Sequence, residues 1–503
     1  MNLRALVERR YVGSVVALAA GALFSLSFAP LGIWPLAILM PALLIWLWDG
    51  AAPKRAGWLG FWFNFGTFSV GTYWLYISLR LIGGAPIVLA LLLMISLVAI
   101  MSLYQFLLGW LVAKFFPARG ALRWMIGIPG AWLFIEWWRS WFLSGFGWLA
   151  VGYSQTDTWL GNLAPVTGQF GIALVALVMS GGLATLALGA RRERSIAAAV
   201  IVTPWVIAFA LGRVTWTQPF GRPISVAVVQ GAFTPDEKWL SENLQTTLDL
   251  YQSKTREVLG SDLIVWPEAA VPGYFHELIP FFETMYAETR AKGSALVTGV
   301  LREDRGDYYN AMVALDPKEE SPGWYYKHHL VPFAEFFPVP QFVRSWLRLM
   351  KLPNEDFRRG DADQEPLVAA GQRIATSVCY EDAYGSSQLH ALETATLLVN
   401  VTNDAWFGKS SARYQHLQIS RMRAMEADRP MIRAANNGVS AAIDERGHIL
   451  ITAPEYEANV MRSIVQPRTG RTPYAYVGNW PSVCLALVFG LWSAYVRRRG
   501  TAR

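Results

Sequence analysis

Three polar residues stand where apolar or aromatic runs end, and together they could perform nucleophilic chemistry. Cys379 follows a β-prone run, Glu268 ends the apolar segment 263–267, and Lys327 follows three consecutive aromatic residues. A thiol becomes a nucleophile when a base or a positive charge favours the thiolate. The three residues therefore predict a cysteine nucleophile, a carboxylate base and a cation that stabilises an oxyanion.

Each of these residues also has an ordinary explanation. A lone cysteine at a strand end is often a small buried residue, a carboxylate there can cap a helix, and a lysine among aromatics can extend to a membrane surface. Two observations favour chemistry at Cys379. The polar flank 380–382 does not suit a core position. The domain is also predicted below to lie outside the cytoplasm, and an oxidising compartment disfavours idle thiols. His328 and His329 are adjacent on a strand, so at most one could join the site, and neither has metal-ligand spacing.

Two further polar residues are candidates for the same site. Glu335 is embedded among aromatics eight residues after Lys327; it either forms a salt bridge or orients Lys327 or Glu268. Asn403 begins a polar segment after the apolar run 397–402, and it either starts an Asx turn or forms one wall of a pocket.

The composition indicates a membrane protein. Of 503 residues, 53% are hydrophobic, 16% are charged and 23 are tryptophans, whereas a soluble domain carries about 25% charged residues. The net charge of +7 comes largely from the ends of apolar segments, so it predicts topology rather than nucleic-acid binding. The second cysteine, Cys484, lies in an apolar run that a bilayer would hold, so we predict no disulfide with Cys379.

Eight apolar segments are candidate membrane spans, of which the first two are short. They lie near residues 12–28, 33–48, 57–79, 86–115, 122–143, 163–189, 196–212 and 480–496. The first lacks a clear cleavage site, so we interpret it as a retained span rather than a signal peptide. Lysine and arginine concentrate before the first span, in the connections after the second, fourth and sixth spans, and in the C-terminal tail, which predicts that both termini are cytoplasmic.

The segment between the last two spans has a different character. Strand-like runs alternate with helical patterns across residues 213–479, which predicts an extracytoplasmic α/β domain with a packed core. The predicted domains are therefore a membrane domain of seven spans at 1–212, a catalytic domain at 213–479, and an eighth span with a basic tail at 480–503.

The order of the three motifs carries a family resemblance. Glu268 on Trp-Pro-Glu, Lys327 on Tyr-Lys-His-His and Cys379 on Val-Cys-Tyr-Glu-Asp resemble the Glu-Lys-Cys triad of the nitrilase, or carbon–nitrogen hydrolase, superfamily. With seven spans before this domain and one after it, the whole chain resembles the bacterial apolipoprotein N-acyltransferase family. The resemblance implies an α-β-β-α sandwich on an eight-helix membrane base.

The resemblance also implies roles for individual residues. Glu268 would be the general base, Lys327 the oxyanion stabiliser and Cys379 the nucleophile. Supporting and substrate-binding positions are implied as well: Glu335, Tyr380 and Glu381 near the triad, Asn403 at the pocket, and Trp239 on a mobile arm over it.

The implied reaction is a ping-pong acyl transfer without cofactor or metal. A phospholipid, phosphatidylethanolamine by resemblance, would donate its sn-1 acyl chain to the cysteine as a thioester. The acceptor would be the α-amine of an S-diacylglyceryl cysteine at the N-terminus of an apolipoprotein. The implied location is the bacterial inner membrane, with the catalytic domain in the periplasm and no nucleic-acid partner.

Residues 339–353 form an amphipathic pattern. As a helix they would place Phe342 and Trp346 on an apolar side and three basic residues on the other, which is typical of a segment lying at a lipid interface. An ordinary surface helix packed on the domain is the alternative.

Two other functions remain open at this point. In a membrane-tethered amidase the same triad would hydrolyse a small amide, with water in place of the amine. In a non-catalytic scaffold or transporter Cys379 would be inert.

Overall fold

The computed structural model describes residues 9–81, 83–332, 334–336 and 356–501. Two compact units are present. The first comprises the described residues up to Val214, the segment Lys409–Gln418 and the described residues from Val477 onward. The second comprises the described parts of Thr215–Gly408 and Ile419–Tyr476.

Helices dominate the first unit and surround the sheets of the second. The α-helices are α1 (Arg10–Ser25), α2 (Leu36–Leu47), α3 (Pro53–Gly71), α4 (Trp74–Leu81), α5 (Ile87–Phe115), α6 (Ile128–Trp141), α7 (Ala164–Leu188), α8 (Arg191–Leu211), α9 (Pro235–Lys238), α10 (Leu244–Arg256), α11 (Ile279–Ala291), α12 (Ala412–Ala427), α13 (Pro473–Val477) and α14 (Trp480–Thr501). A π-helical turn at Leu122–Gly127 precedes α6, and short 3-10 turns lie at Phe142–Ser144, Val151–Gln155, Trp159–Leu163, Ser241–Asn243, Phe275–Leu278, Cys379–Ala383, Gly385–Gln388, Ala391–Glu393 and Asp404–Phe407.

Four helical segments among the described residues are long and apolar enough to cross a bilayer: Ile87–Phe115, Trp159–Leu188, Arg191–Leu211 and Trp480–Gly500. α1 and α2 are apolar but have only 16 and 12 residues, against the roughly 20 that a span needs. The expected span at 57–79 is divided between α3 and α4. The count of eight spans therefore stays a prediction.

The second unit contains two six-stranded sheets. The strands are β1 (Gln218–Pro219), β2 (Ile224–Gln230), β3 (Leu263–Val265), β4 (Ala295–Asp304), β5 (Asp307–Leu315), β6 (Gly323–Tyr326), β7 (Leu367–Ala369), β8 (Gln372–Val378), β9 (Leu397–Thr402), β10 (Met431–Ala435), β11 (Ala441–Ile443), β12 (Ile449–Thr452), β13 (Asn459–Val465) and β14 (Arg468–Thr469). One sheet has the order β13-β2-β3-β4-β5-β6 and the other β12-β11-β10-β9-β8-β7, while β1 pairs with β14. In each large sheet the central strands are parallel and the outer ones antiparallel.

Alternating side chains of the two sheets form the core between them. Val226, Val228, Val399 and Val401 belong to this core, whereas the intervening Ala227 and Val229 face a second cluster with Phe282 of α11, as the two-residue period of a strand requires. The C-terminal part of α12 lies on the far face of the second sheet, where Ser420 bonds to β10. The layers are therefore helix, sheet, sheet and helix.

The ends of four strands carry the residues singled out from the sequence. Lys327, Cys379 and Asn403 directly follow β6, β8 and β9, and Glu268 follows β3 after two residues. β8 and β9 are parallel, so their carboxyl ends meet at the same edge of the sheet. This topology accounts for how residues far apart in sequence come together.

Candidate active site

The turn that carries Glu268 is held against β4 by close backbone packing. Gly299 on β4 donates its N–H to the Pro267 carbonyl and accepts from the Ala270 N–H. A Cβ at Gly299 would come within 2.6 Å of the Glu268 Cα, so only glycine permits this approach. The side chain of Glu268 is thereby aimed into the domain with only 7% of the residue exposed.

Lys327 lies between the buried carboxylate of Glu268 and the partly buried carboxylate of Glu335. Its Nζ is 2.9 Å from Glu335 Oε1 and 3.3 Å from Glu268 Oε1, and the residue is 1% exposed. Burial by itself would lower the pKa of Lys327, but the charges of Glu335 and Glu268 outweigh it and raise the pKa above the usual range. The ammonium is therefore permanently charged, as a stabiliser of a developing oxyanion must be.

Asn310 joins the same cluster, although nothing in the sequence singled it out. Its Nδ2 donates to Glu268 Oε1 and to Glu335 Oε1, both at 2.7 Å, and its carbonyl accepts from the Lys327 N–H at 2.9 Å. Glu335 Oε2 accepts in turn from the Val331 N–H at 2.8 Å. Glu335 thus orients Lys327 directly, and Asn310 fixes the two carboxylates relative to each other.

Cys379 occupies a strained position beside this cluster. Its φ is +53°, a conformation that non-glycine residues adopt rarely and that costs about 1–3 kcal/mol. Burial and the charge of Glu268 raise the pKa of the Cys379 thiol, while the Lys327 ammonium and a hydrogen bond from Thr402 act in the opposite direction. The resting thiol therefore keeps its proton, and a base must remove it before attack.

Glu381 ties the nucleophile's turn to the lysine's segment. Its Oε1 accepts from the N–H groups of His328 and His329 at 2.6 and 3.0 Å. Its Oε2 accepts from the Val378 N–H at 2.8 Å and from the Tyr325 hydroxyl at 3.0 Å. Because these donors flank Lys327 on one side and Cys379 on the other, Glu381 sets the spacing between the two reactive groups.

The two adjacent histidines take no part in a Cys–His pair. His328 Nδ1 lies 2.7 Å from the Gly360 carbonyl oxygen, and the His329 ring stacks on Tyr384 at a centroid distance of 4.0 Å. Burial lowers the pKa of His329 to about 3, so its ring is neutral. Tyr380, directly after Cys379, packs edge-to-face against Tyr384 at 5.3 Å.

Asn403 completes the surroundings of Glu268 through its backbone. Its N–H donates to Glu268 Oε2 at 2.9 Å, and its side-chain Oδ1 accepts from Asn436 at 3.2 Å.

Trp239, which directly follows α9, is 49% exposed. Phe342 and Trp346 lie outside the described residues, as does the amphipathic segment around them.

No group of three or more histidine, cysteine or acidic side chains suited to a metal ion occurs within the described parts of the chain. The cluster itself offers a buried base, a buried and fixed cation and a partly buried thiol in one place. That set can perform acyl transfer through a covalent thioester, in which Glu268 moves the proton and Lys327 faces the oxyanion.

Lys238 is a second buried lysine that the sequence did not single out. Its Nζ donates to the Glu268 carbonyl oxygen at 3.4 Å, and the residue is fully buried. Burial lowers the pKa of Lys238 from 10.5 to about 8, although the charge of Glu268 opposes this. The folded protein therefore holds this proton less tightly than the unfolded chain does.

This pKa predicts a pH-dependent stability. Below pH 8 Lys238 is charged in both the folded and the unfolded state, and its burial destabilises the fold by about 3 kcal/mol. Between pH 8 and 10.5 the unfolded chain keeps the proton while the folded protein loses it, so the free energy of unfolding rises with pH. We expect Lys238→Met to be more stable than the parent protein at pH 7, and this advantage to shrink by about 2 kcal/mol at pH 9.5.

Thermal unfolding in detergent at the two pH values measures this difference. Lys292→Met, at an exposed lysine, is the control and should show no pH-dependent difference. A Lys238→Met protein that is less stable than the parent by the same margin at both pH values would contradict the prediction.

Two family models match the chain. The description of one is "Apolipoprotein N-acyltransferase N-terminal domain", over residues 20–183, and that of the other is "Carbon-nitrogen hydrolase", over residues 225–474. The second match contains Glu268, Lys327 and Cys379.

Curated relatives match over almost the whole chain. An apolipoprotein N-acyltransferase of Methylococcus capsulatus is 40% identical, over 97% of this chain and 97% of its own length. One of Vibrio cholerae is 35% identical, over 97% of this chain and 99% of its own. Among solved structures, a carbon-nitrogen hydrolase from Helicobacter pylori is 19% identical with a TM-score of 0.37, over 48% of this chain and 89% of that one.

Proposed function

The chain belongs to the apolipoprotein N-acyltransferase family, and we propose that it acylates lipoproteins with Cys379 as nucleophile, Glu268 as general base and Lys327 as oxyanion stabiliser. Enzymes of this family act on lipoprotein and phospholipid substrates at a bacterial membrane. The observation that carries the assignment of roles is the Lys327 ammonium, which bonds to both Glu268 and Glu335 in a buried cluster beside the thiol.

The first half-reaction forms the thioester. Glu268 takes the proton of Cys379, and the thiolate attacks the carbonyl carbon of the sn-1 ester of a phospholipid. The negative charge that develops on the carbonyl oxygen faces the Lys327 ammonium. The carbon–oxygen bond of the ester then breaks, the departing lysophospholipid oxygen takes the proton from Glu268, and the acyl chain stays on sulfur.

The second half-reaction transfers the acyl chain to nitrogen. The neutral α-amine of an S-diacylglyceryl cysteine attacks the thioester carbonyl, and the oxyanion again faces Lys327. As the carbon–sulfur bond breaks, Glu268 takes a proton from the nitrogen and returns it to the sulfur. The products are an amide and the free thiol, so atoms and protons balance without a cofactor.

The acyl donor and its contacts are part of the proposal. We take the donor to be phosphatidylethanolamine, as the family resemblance implies. Trp239, an exposed aromatic that follows the buried Lys238, and Asn403 are proposed to contact it. Phe342 and Trp346 are proposed to contact acyl chains on the basis of their amphipathic sequence pattern alone. Tyr380, Glu381 and Glu335 keep the reactive groups in place through the contacts given above.

The proposed topology rests on the distribution of basic residues. Eight spans, with the domains 1–212, 213–479 and 480–503, place all five basic segments on the cytoplasmic side. Both termini are then cytoplasmic and the catalytic domain is periplasmic. Labelling by an impermeant thiol reagent in spheroplasts tests this: a cysteine introduced at the exposed Lys292 must react and one at the exposed Arg191 must not.

Transfer between defined substrates tests the function. The purified protein is placed in vesicles of phosphatidylethanolamine with palmitate at sn-1 and oleate at sn-2, and is given a synthetic peptide that begins with S-diacylglyceryl cysteine. We expect the peptide to gain one palmitoyl group, with one lysophospholipid formed per peptide.

The matched control is the same peptide with an acetylated N-terminus, which should gain nothing. Release of free fatty acid without acylation of the peptide, or release of ammonia from small amides, would contradict the transferase proposal and favour a hydrolase.

A further inference from the structure

A ladder of three buried polar side chains crosses the second sheet behind the nucleophile. Ser377 on β8 pairs with Asn400 on β9, and Asn400 pairs with Arg433 on β10. All three are 0% exposed. Their neighbours Val378, Val401 and Ala434 face the core between the sheets, so the ladder lies on the opposite face, against α12.

Arg433 contacts four groups around this ladder. Its Nη1 donates to Asn400 Oδ1 at 2.6 Å and to Ser420 Oγ of α12 at 2.8 Å, and lies 3.5 Å from Asp382 Oδ2. Its Nη2 donates to Asp404 Oδ2 at 2.8 Å. Both aspartates are buried, and the forked guanidinium is the one basic side chain with enough rigidly placed donors to meet this set.

Two of these partners belong to the turn that presents the nucleophile. Asn400 Nδ2 donates to Ser377 Oγ at 2.9 Å and to the Cys379 carbonyl oxygen at 3.4 Å. Asp382 lies within the 3-10 turn Cys379–Ala383 and also bonds to the Ser420 hydroxyl. Arg433 therefore contacts both the residue that holds the Cys379 carbonyl and the turn that follows Cys379.

A third partner belongs to the loop that holds the base. Asp404 Oδ1 accepts from the Thr402 hydroxyl at 3.0 Å, and the same hydroxyl lies close to the thiol of Cys379. Asn403, between them, donates its N–H to Glu268 Oε2. Arg433 thus connects two segments. One is the turn that bears the nucleophile Cys379, and the other is the loop whose Asn403 N–H donates to the general base Glu268.

We propose that Arg433 is a positioning residue for the acyl transfer: it maintains the strained Cys379 turn and the Asn403 loop in their reactive relative positions without touching substrate. A residue at φ +53° persists only where its surroundings over-determine it, and the Arg433 contacts are among those that do so. This role rests on the proposed nucleophile and base.

Two variants of the full-length enzyme test the proposal. Arg433→Lys keeps the charge but cannot make the forked contacts. Arg433→Met with Asp404→Asn removes one cation and one anion, so the summed charge of Arg433, Asp382 and Asp404 is unchanged. We expect each to lower the rate of thioester formation from phospholipid about 100-fold in the folded, monodisperse protein, since a displacement of about 1 Å has that effect, with KM for phospholipid changed less than about threefold.

The second readout is alkylation of Cys379 by iodoacetamide as a function of pH. A displaced turn moves the thiol relative to Lys327 and Glu268, so the pH profile should shift in the Arg433 variants. Arg429→Lys is the matched control: Arg429 is a buried arginine that bonds to the carbonyls of Leu392, Ala395, Ala427 and Gly470. It should lose stability but keep both the rate and the alkylation profile.

Arg433 variants that are less stable than the parent but keep its rate and alkylation profile would overturn the proposal. If neither of the two Arg433 variants folds, the Asn400→Asp variant tests the proposal instead. It keeps an acceptor for Arg433 and removes the donor to Ser377 and the Cys379 carbonyl. The proposal expects slower thioester formation in this variant, and an unchanged rate would overturn it. Loss of thioester formation in the parent protein would instead contradict the proposed function itself.

Discussion

Replacing Glu268 by glutamine is expected to lower the rate of thioester formation about 10²–10⁴-fold, the usual contribution of a general base. Glutamine has the same shape but cannot accept the Cys379 proton. The N–H₂ group of the glutamine would also face at least one N–H donor. Asn310 and Lys327 donate to Oε1 of the carboxylate, and the Asn403 N–H donates to Oε2. Since burial raises the pKa of the thiol, the reaction depends on this base at neutral pH.

Single-turnover formation of lysophospholipid from vesicles measures the effect. Glu257→Gln is the control, since Glu257 is an exposed carboxylate that pairs with the surface residue Lys254, and it should leave the rate unchanged. Retention of the parent rate by Glu268→Gln would exclude Glu268 as the base.

Replacing Lys327 by methionine is expected to affect both stability and chemistry. Removal of the ammonium leaves the buried Glu268 and the partly buried Glu335 without their cation, and breaking a buried ion pair in this way costs about 3–5 kcal/mol. The loss of the charge beside the oxyanion should lower the rate about 10²–10³-fold. Thermal unfolding and single-turnover kinetics of the folded fraction measure the two effects separately.

A second substitution distinguishes the two roles of Lys327. Lys327→Met with Glu335→Gln removes one of the unpaired carboxylates, so we expect much of the stability to return while the rate stays low. Recovery of the rate together with the stability would mean that Lys327 has only a structural role.

The residues proposed as reactive groups could be singled out from the sequence because each ends a recognisable run. Glu268 and Cys379 follow apolar strands, and a polar residue at the end of a buried strand is placed at an edge where ligands bind. The alternation of strands and helices likewise predicted an α/β domain, and the family resemblance implied its two stacked sheets. The order Glu268, Lys327 and Cys379 then carried the resemblance to a family of which the chain is now shown to be a member.

The residues that hold these groups were not predictable in the same way. Asn310 is one amide within a strand, and its two carboxylate partners come from a turn and a loop far away in sequence. Arg433 did leave a signal, since a charge within the apolar strand 431–435 must have buried partners. Its partners depend on strand register, which local patterns do not determine. The span count rests on hydropathy alone, where helices such as α2 fall short of a full crossing.

Formation of an acyl-enzyme is the most direct test of the whole account. The purified protein is incubated with phospholipid in the absence of any amine acceptor, and its intact mass is measured beside a Cys379→Ala control. We expect a gain of one fatty-acyl mass that neutral hydroxylamine removes and that the control lacks. A folded protein that gains no acyl mass, or gains it equally in Cys379→Ala, would contradict a thioester on Cys379.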